Sequence, residues 1–306
     1  MGRARENRVV SAPMVTHLIS VDLVPPDAIA AMKLRAAIDE LCAEDPTLGV
    51  TTGPINEIVL QGMGELHLEI AIDRLKRVKG LDFEVGAPEV AYRESITKTI
   101  EWNYTHKKLA CPPQYAKVKI RFEPGDPGSG FVFENAATGG AVPMEYVRGV
   151  EKGLAAAKET GVLAGFPLID IKCTLVDGDY HDVDSNVMTF DIAARACFRG
   201  AMPKAGPRIL EPVMKIEVVT PQEHMGDVIG DLNLRRGQVQ STESRDNAHV
   251  IAALVPLANM FGYTATLMQM SRGHAQYTMT FDHYEQIPPN LPDDRGPFAP
   301  AAALRW

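Results

Sequence analysis

The sequence predicts an α+β protein of three successive units. Three observations carry that prediction. The apolar pattern along 13–92 reads strand, helix, strand, strand, helix, strand, and the pattern along 209–287 reads the same. Between them, 93–208 holds an alternating strand over 114–123 and an alanine-rich helix over 186–202, an order that fits neither flank.

In the first unit, 17–23 alternates like a strand. Pro25-Pro26-Asp27 then opens a helix with Asp27 as its N-cap. Ile38, Leu41 and Cys42 share one face of it, and Pro46 ends the segment. Two short strands, 51–53 and 57–61, surround Pro54. A second helix covers 65–79, where Leu68, Ile72 and Leu75 recur at i, i+4 and i+7 and Gly80 sits at C′. A strand at 82–85 closes the unit. This βαββαβ order is that of the split ferredoxin-like motif.

The last unit repeats the order without sequence identity that amounts to a repeat. It reads as a strand at 213–219, a helix at 221–233 with Pro221 near N1, an antiparallel pair at 237–244 and 248–254, a largely helical 256–270 weakened by Gly262, and a strand at 274–281. In the middle unit, Tyr115, Lys117, Lys119 and Arg121 share one face of the strand 114–123, and Ala116, Val118, Ile120 and Phe122 the other. A turn-rich link, 124–130, leads to a strand at 131–134, a helix at 144–160 ended by Gly161, and a long strand at 168–176. The proline-rich tail, 288–306, is expected to be disordered or extended.

The composition bounds function. Of 306 residues, 45% are hydrophobic, enough for ordinary cores. No apolar run reaches the roughly 18 residues of a membrane helix, and no apolar core follows the basic start, so no membrane partner is expected. Cys42, Cys111, Cys173 and Cys197 form no Cys-x-x-Cys unit and no disulfide framework. A soluble, cytoplasmic protein with reduced thiols is expected. A net charge of −8 argues against non-specific coating of nucleic acid and leaves room for contact with RNA at a few points.

No Gly-x-x-x-x-Gly-Lys-Ser/Thr loop occurs, so the chain is expected neither to bind nor to hydrolyse a nucleotide, and no cofactor is expected in it. Gly62 and Gly64 read as a tight turn between strand and helix. His181, Asp182 and Asp184 read as a solvated turn, since no second ligand cluster exists to complete a metal site. No nucleophile elbow is present, and His67 at a helix start packs or caps. Two loops of the middle unit remain. One, 105–114, carries His106, Lys107, Lys108 and Gln114. The other, 177–185, carries Tyr180, His181, Asp182, Asp184 and Ser185. Lysines neutralise phosphate, and His and Tyr stack on or hydrogen-bond to exposed bases, so loops at a shared pole would address RNA. For Arg235 and Arg236, at a helix end, RNA contact and compensation of the helix dipole are both open.

From about Val21 to Tyr284 the sequence resembles elongation factor G, a translational GTPase. The resemblance rests on Leu41-x-x-Glu44-Asp45-Pro46, Gln61-Gly62-Met63-Gly64-Glu65-Leu66-His67-Leu68, Val90-Ala91-Tyr92-Arg93-Glu94, Gly139-Gly140-Ala141-Val142-Pro143, Asp177-Gly178-Asp179-Tyr180-His181-Asp182-Val183-Asp184-Ser185, Glu211-Pro212, Arg235-Arg236-Gly237-Gln238 and Met260-Phe261-Gly262-Tyr263, in that order. It implies that 13–92, 93–208 and 209–287 are that family's domains III, IV and V, two ferredoxin-like domains flanking one like ribosomal protein S5. The fourth domain of the family is a blade whose tip enters the decoding region behind the moving transfer RNA.

By this resemblance the partners are the ribosome, with its ribosomal RNA, transfer RNA and messenger RNA, and the parent's own GTPase and second domains. The parent would hydrolyse GTP with magnesium and act as a monomer, and the chain would be a piece of it or a short natural product. The two tip loops map onto His106-Lys107-Lys108 with Gln114-Tyr115, and onto 177–185, with His181 nearest the RNA. One departure stands out. Where the family holds a flexible glycine segment, this chain has Leu109-Ala110-Cys111-Pro112-Pro113, and proline fixes φ and removes N–H donors. That departure keeps open a specialised or ribosome-protection relative acting at the decoding site. The net acidity keeps open a non-ribosomal binding module.

Overall fold

The computed structural model describes residues 17–52, 58–109, 112–138, 140–245 and 248–288. The tail beyond Pro288, the basic start, Ala110, Cys111 and Gly139 lie outside the described residues. The chain divides into two compact units, one ending at Ala91 and the other beginning at Tyr92. Among the described residues no helix is long and apolar enough to cross a membrane.

The first unit is built from β1 (Ile19–Val24), α1 (Ala28–Glu44), β2 (Gly49–Thr52), β3 (Ile58–Gly62), α2 (Glu65–Asp73), β4 (Glu84–Val85) and β5 (Glu89–Val90). Its sheet runs β2-β3-β1-β4, with β5 also on β1, and every pairing is antiparallel. Asp27 caps α1, its carboxylate accepting from the Ala30 N–H at 2.7 Å. Ile38 and Leu41 are buried, whereas Cys42 is only half-buried. The helix predicted over 65–79 is α-helical only through Asp73. It ends in a wider π-turn, Arg74–Val78, that still buries Leu75, and Gly80 takes the left-handed φ of +64° expected at C′.

The second unit holds two sheets. The first contains β7 (Ile100–Lys108), β8 (Gln114–Pro124), β9 (Phe131–Asn135) and β10 (Ile171–Asp179), ordered β7-β8-β10-β9. Only β9 and β10 are parallel, joined through α3 (Met144–Ala157). Ala116, Val118, Ile120 and Phe122 of β8 are fully buried under α3 and α4 (Val187–Ala201), as the alternation requires. Phe122 meets Phe198 of α4 edge-on, with centroids 5.9 Å apart. Asn186 and Thr189 close a capping box at the start of α4: the Thr189 N–H donates to Asn186 Oδ1 at 2.9 Å, and the Asn186 N–H donates to Thr189 Oγ1 at 3.1 Å. The two helices approach through Gly149 and Gly153, where a Cβ would lie 2.4 Å from the Val187 carbonyl oxygen and 2.5 Å from that of Asp191.

Two corrections to the middle region follow from the ladders. The strand expected at 168–176 is shifted to Ile171–Asp179, because the bulge between Leu175 and Asp177 lets it pair with β8 out to Lys117. Half of the loop expected at 105–114 is strand, Thr105–Lys108 and Gln114, since β7 and β8 pair from Ile100↔Phe122 to Lys108↔Gln114.

The other sheet contains β6 (Arg93–Ile96), β11 (Pro207–Thr220), β12 (Gln238–Arg245), β13 (Ala248–Pro256) and β14 (Gln276–Gln286), with α5 (Met225–Leu234) and α6 (Tyr263–Met270). Its order, β12-β13-β11-β14, repeats that of the first unit. Arg93–Ile96, expected with the middle region, is bonded there through Glu94 and also pairs with Pro207–Leu210 at the start of β11. The expected helix over 256–270 is broken, with a 3₁₀ turn at Leu257–Asn259 and a helix that begins only after Gly262, whose φ is +69°. Pro221 stands at the N-cap of a 3₁₀ turn, Gln222–His224, that precedes α5.

Candidate functional site

Strand direction brings the candidate residues together. β7 ends at Lys108, β8 begins at Gln114, β10 ends at Asp179 and the parallel β9 ends at Asn135. The segments 109–113, 180–186 and 136–143 therefore leave one pole of the sheet, where α3 and α4 also begin. The third segment was not among the predicted tip loops. Its Val142 is buried, with Cγ2 2.4 Å from where a Cβ on Gly178 would lie, so β10 needs glycine there.

The start of β8 and the segment after β10 are bonded to each other. The Tyr115 N–H donates to the Asp184 carbonyl at 2.9 Å. Ser185 Oγ donates to the Tyr115 carbonyl at 2.6 Å and accepts from the His181 N–H at 2.9 Å. The Tyr115 hydroxyl donates to Asp179 Oδ2 at 2.8 Å, a bond that raises the phenol pKa above its ordinary value. Behind the second segment an aromatic file leads into the core: Tyr180 packs edge-on to Tyr146, with centroids 5.9 Å apart, and Tyr146 stacks on Phe190 at 5.1 Å.

The candidates divide by exposure. Lys107, Lys108, Tyr180, His181 and Asp182 face solvent. His181 Nδ1 lies 3.4 Å from the half-buried Asp184 carboxylate, which orients the ring while leaving it 60% exposed. His106 and Gln114 are half-buried and bonded to each other, Nε2 to Oε1 at 3.0 Å, so they brace the hairpin. Ser185 is buried and pins the two segments. Leu109, Pro112, Pro113 and Val183 add an exposed apolar rim.

Arg235 and Arg236 point inward. Arg235 bonds to Asp231 at 2.7 Å, the Asn259 carbonyl at 2.7 Å and Thr266 Oγ1 at 3.2 Å, and covers the Tyr263 ring. Arg236 sits at C′ of α5 with a φ of +63°, completing a Schellman pair in which its own N–H reaches Asn233 and that of Gly237 reaches Leu232. Its guanidinium grips the buried Glu211 carboxylate at 2.5 and 3.2 Å. Sequence reasoning saw the cationic helix end and missed these distant partners. His67, in the first unit, accepts from the Met63 N–H at 3.3 Å and bonds Asp45 at 3.0 Å, which ties the loop after α1 to the start of α2. Among the described residues, no three His, Cys, Asp or Glu side chains are placed to hold a metal.

Comparisons with known proteins agree with this architecture. Residues 13–87 match elongation factor G domain III, 88–206 match its domain IV, and 208–295 match its C-terminus. A crystal structure of a protein from Thermus thermophilus is 37% identical, superposes with a TM-score of 0.73, and is matched over 94% of this chain and 44% of its own. The chain thus spans less than half the length of that relative. With three consecutive matches over nearly its whole length, the chain belongs to the elongation factor G family and carries its domains III, IV and V.

Proposed function

We propose that the chain is the ribosome-engaging part of a factor that promotes GTP-dependent translocation of transfer RNA and messenger RNA. The observation that carries this reading is the bonded pole of the middle sheet, which presents Lys107 and Lys108 from the end of β7 and Tyr180 and His181 from the segment after β10 at one exposed end. Two lysines supply phosphate contacts, and an exposed histidine and tyrosine supply base contacts. Asp177, Asp179, Asp182 and Asp184 lie on the other flank of the pole, which confines attraction for a polyanion to the lysine side. Arg235 and Arg236 act in this reading as internal braces of the last sheet. Nucleotide and magnesium belong to a region outside these 306 residues, which hold no phosphate-binding loop.

A second reading, a specialised or ribosome-protection relative, draws on the exposed Leu109, Pro112 and Pro113 at the turn between β7 and β8. Both readings are tested by photo-crosslinking from Lys107 and His181 to ribosomes. Crosslinks to RNA of the decoding region support them, and crosslinks to no ribosomal RNA would remove both. Replacing Pro112 and Pro113 by glycine separates the two: a faster translocation rate favours the specialised relative, and an unchanged rate favours the translocase.

A further inference from the structure

Glu94 carries an arrangement that the tip does not use. It lies in β6, is fully buried, and turns its carboxylate into the loop after α3. Five consecutive backbone N–H groups converge on it: Val162 at 2.6 Å, Leu163 at 3.1 Å, Ala164 at 2.9 Å, Gly165 at 3.1 Å and Phe166 at 3.3 Å. Such a run of amides is an anion-binding concavity, here filled by the chain's own side chain. Gly161, with a φ of +51°, is needed for the wrap, because a Cβ there would lie 2.5 Å from Glu94 Oε1.

The backbone of the same residue is bonded on both sides. Along one edge β6 pairs with β11 of the last sheet, Glu94 opposite Ile209. On the other, the Glu94 N–H donates to the Pro167 carbonyl at 3.0 Å and its carbonyl accepts from the Ile169 N–H at 2.9 Å. The loop it grips leads directly into β10, the strand that ends at the tip. Tyr92 and Phe166 flank the concavity, with ring centroids 5.3 Å apart.

We infer that Glu94 is the positioning residue that sets the direction of the middle sheet, and so of its tip, relative to the last sheet. An ionised acceptor buried among aligned donors is strong, and its removal leaves five amides without it. Among the described residues the junction also carries the β6–β11 pair, the bonds of the Glu94 backbone to Pro167 and Ile169, the bonds of Thr97 and Lys98 to Ala205 and Gly206, and Ile96, buried in the core of the middle sheet. The inference concerns geometry within the second compact unit and stands whether or not the tip meets RNA.

The test uses the full chain with Cys42 and Cys111 replaced by serine and spin labels at the exposed positions Asn103 and Thr242. Glu94→Ala should keep its circular dichroism, lose amide protection across 162–166, and broaden the distance distribution between the labels. Acetate replaces the side chain beyond Cβ and should restore both readings, whereas neutral acetamide should restore neither. A narrow, wild-type distribution in Glu94→Ala would overturn the inference, as would equal rescue by acetate and acetamide. If Glu94→Ala does not fold, Glu94→Gln takes its place, and a wild-type distribution there overturns the inference equally.

Discussion

The Tyr115 N–H donates to the Asp184 carbonyl at 2.9 Å, so the first residues of β8 and the segment after β10 move as one piece. Ser185 doubles that link by donating to the Tyr115 carbonyl and receiving the His181 N–H. The backbone of His181, whose ring is exposed, is therefore held by a buried hydroxyl. This gives the pole a defined shape although the segment after β10 is irregular.

Ser185→Ala should uncouple the two segments. The change removes the acceptor of the part-buried His181 N–H and the donor to the Tyr115 carbonyl, at a cost of about 0.5–1.5 kcal/mol per hydrogen bond. Urea unfolding should show a lowered midpoint, and amide exchange should quicken across 180–186. Unchanged exchange there would mean that the Tyr115–Asp184 bond suffices alone.

Gly149→Ala and Gly153→Ala should each destabilise the chain, although alanine in a helix interior ordinarily gains about 0.5–1 kcal/mol over glycine. The added methyl would meet the Val187 or Asp191 carbonyl oxygen and push α3 away from α4. Overpacking of this kind costs roughly 1–3 kcal/mol. A raised melting temperature in either variant would contradict the close approach.

Acid should loosen the loop after α1. Hydrogen bonds from Thr47, and then from His67, hold the Asp45 carboxyl below its ordinary range. A carboxylate whose pKa is lowered by folding contributes stability above its unfolded value of about 3.9, and that contribution disappears as pH falls through the folded value. The stability difference between the wild type and Asp45→Asn should therefore be present near about pH 7 and shrink toward about pH 3. Urea midpoints across that range measure it. A difference independent of pH would show that Asp45 acts only through its shape.

Much of this architecture was legible because local rules and the final fold agree. Asp27 and Gly80 punctuate their helices as their chemistry dictates, and the alternation over β8 gave both of its faces. β7 escaped notice because its half-buried face, Ile100, Trp102, Tyr104 and His106, holds one aliphatic residue beside three rings with polar tips, a weak alternation next to the lysines that follow. β6 escaped because it buries Glu94 and Ser95, and the amides that satisfy Glu94 come from a distant loop. The sequence named the candidate tip residues by the chemistry of their side chains. Their division into exposed side chains and buried braces was not legible there, since Ser185 and His181 differ only in what the third dimension places above them.

The central claim is that the pole carrying His181 acts on the RNA moved through the ribosome. Single-round translocation by the intact factor containing this chain, wild type against His181→Ala, tests it most directly, with ribosome-stimulated GTP hydrolysis read in the same reaction. Loss of one neutral contact is worth about 0.5–1.5 kcal/mol, so binding to ribosomes should weaken only modestly. The account predicts slower translocation with hydrolysis unchanged, and translocation at the wild-type rate would contradict it.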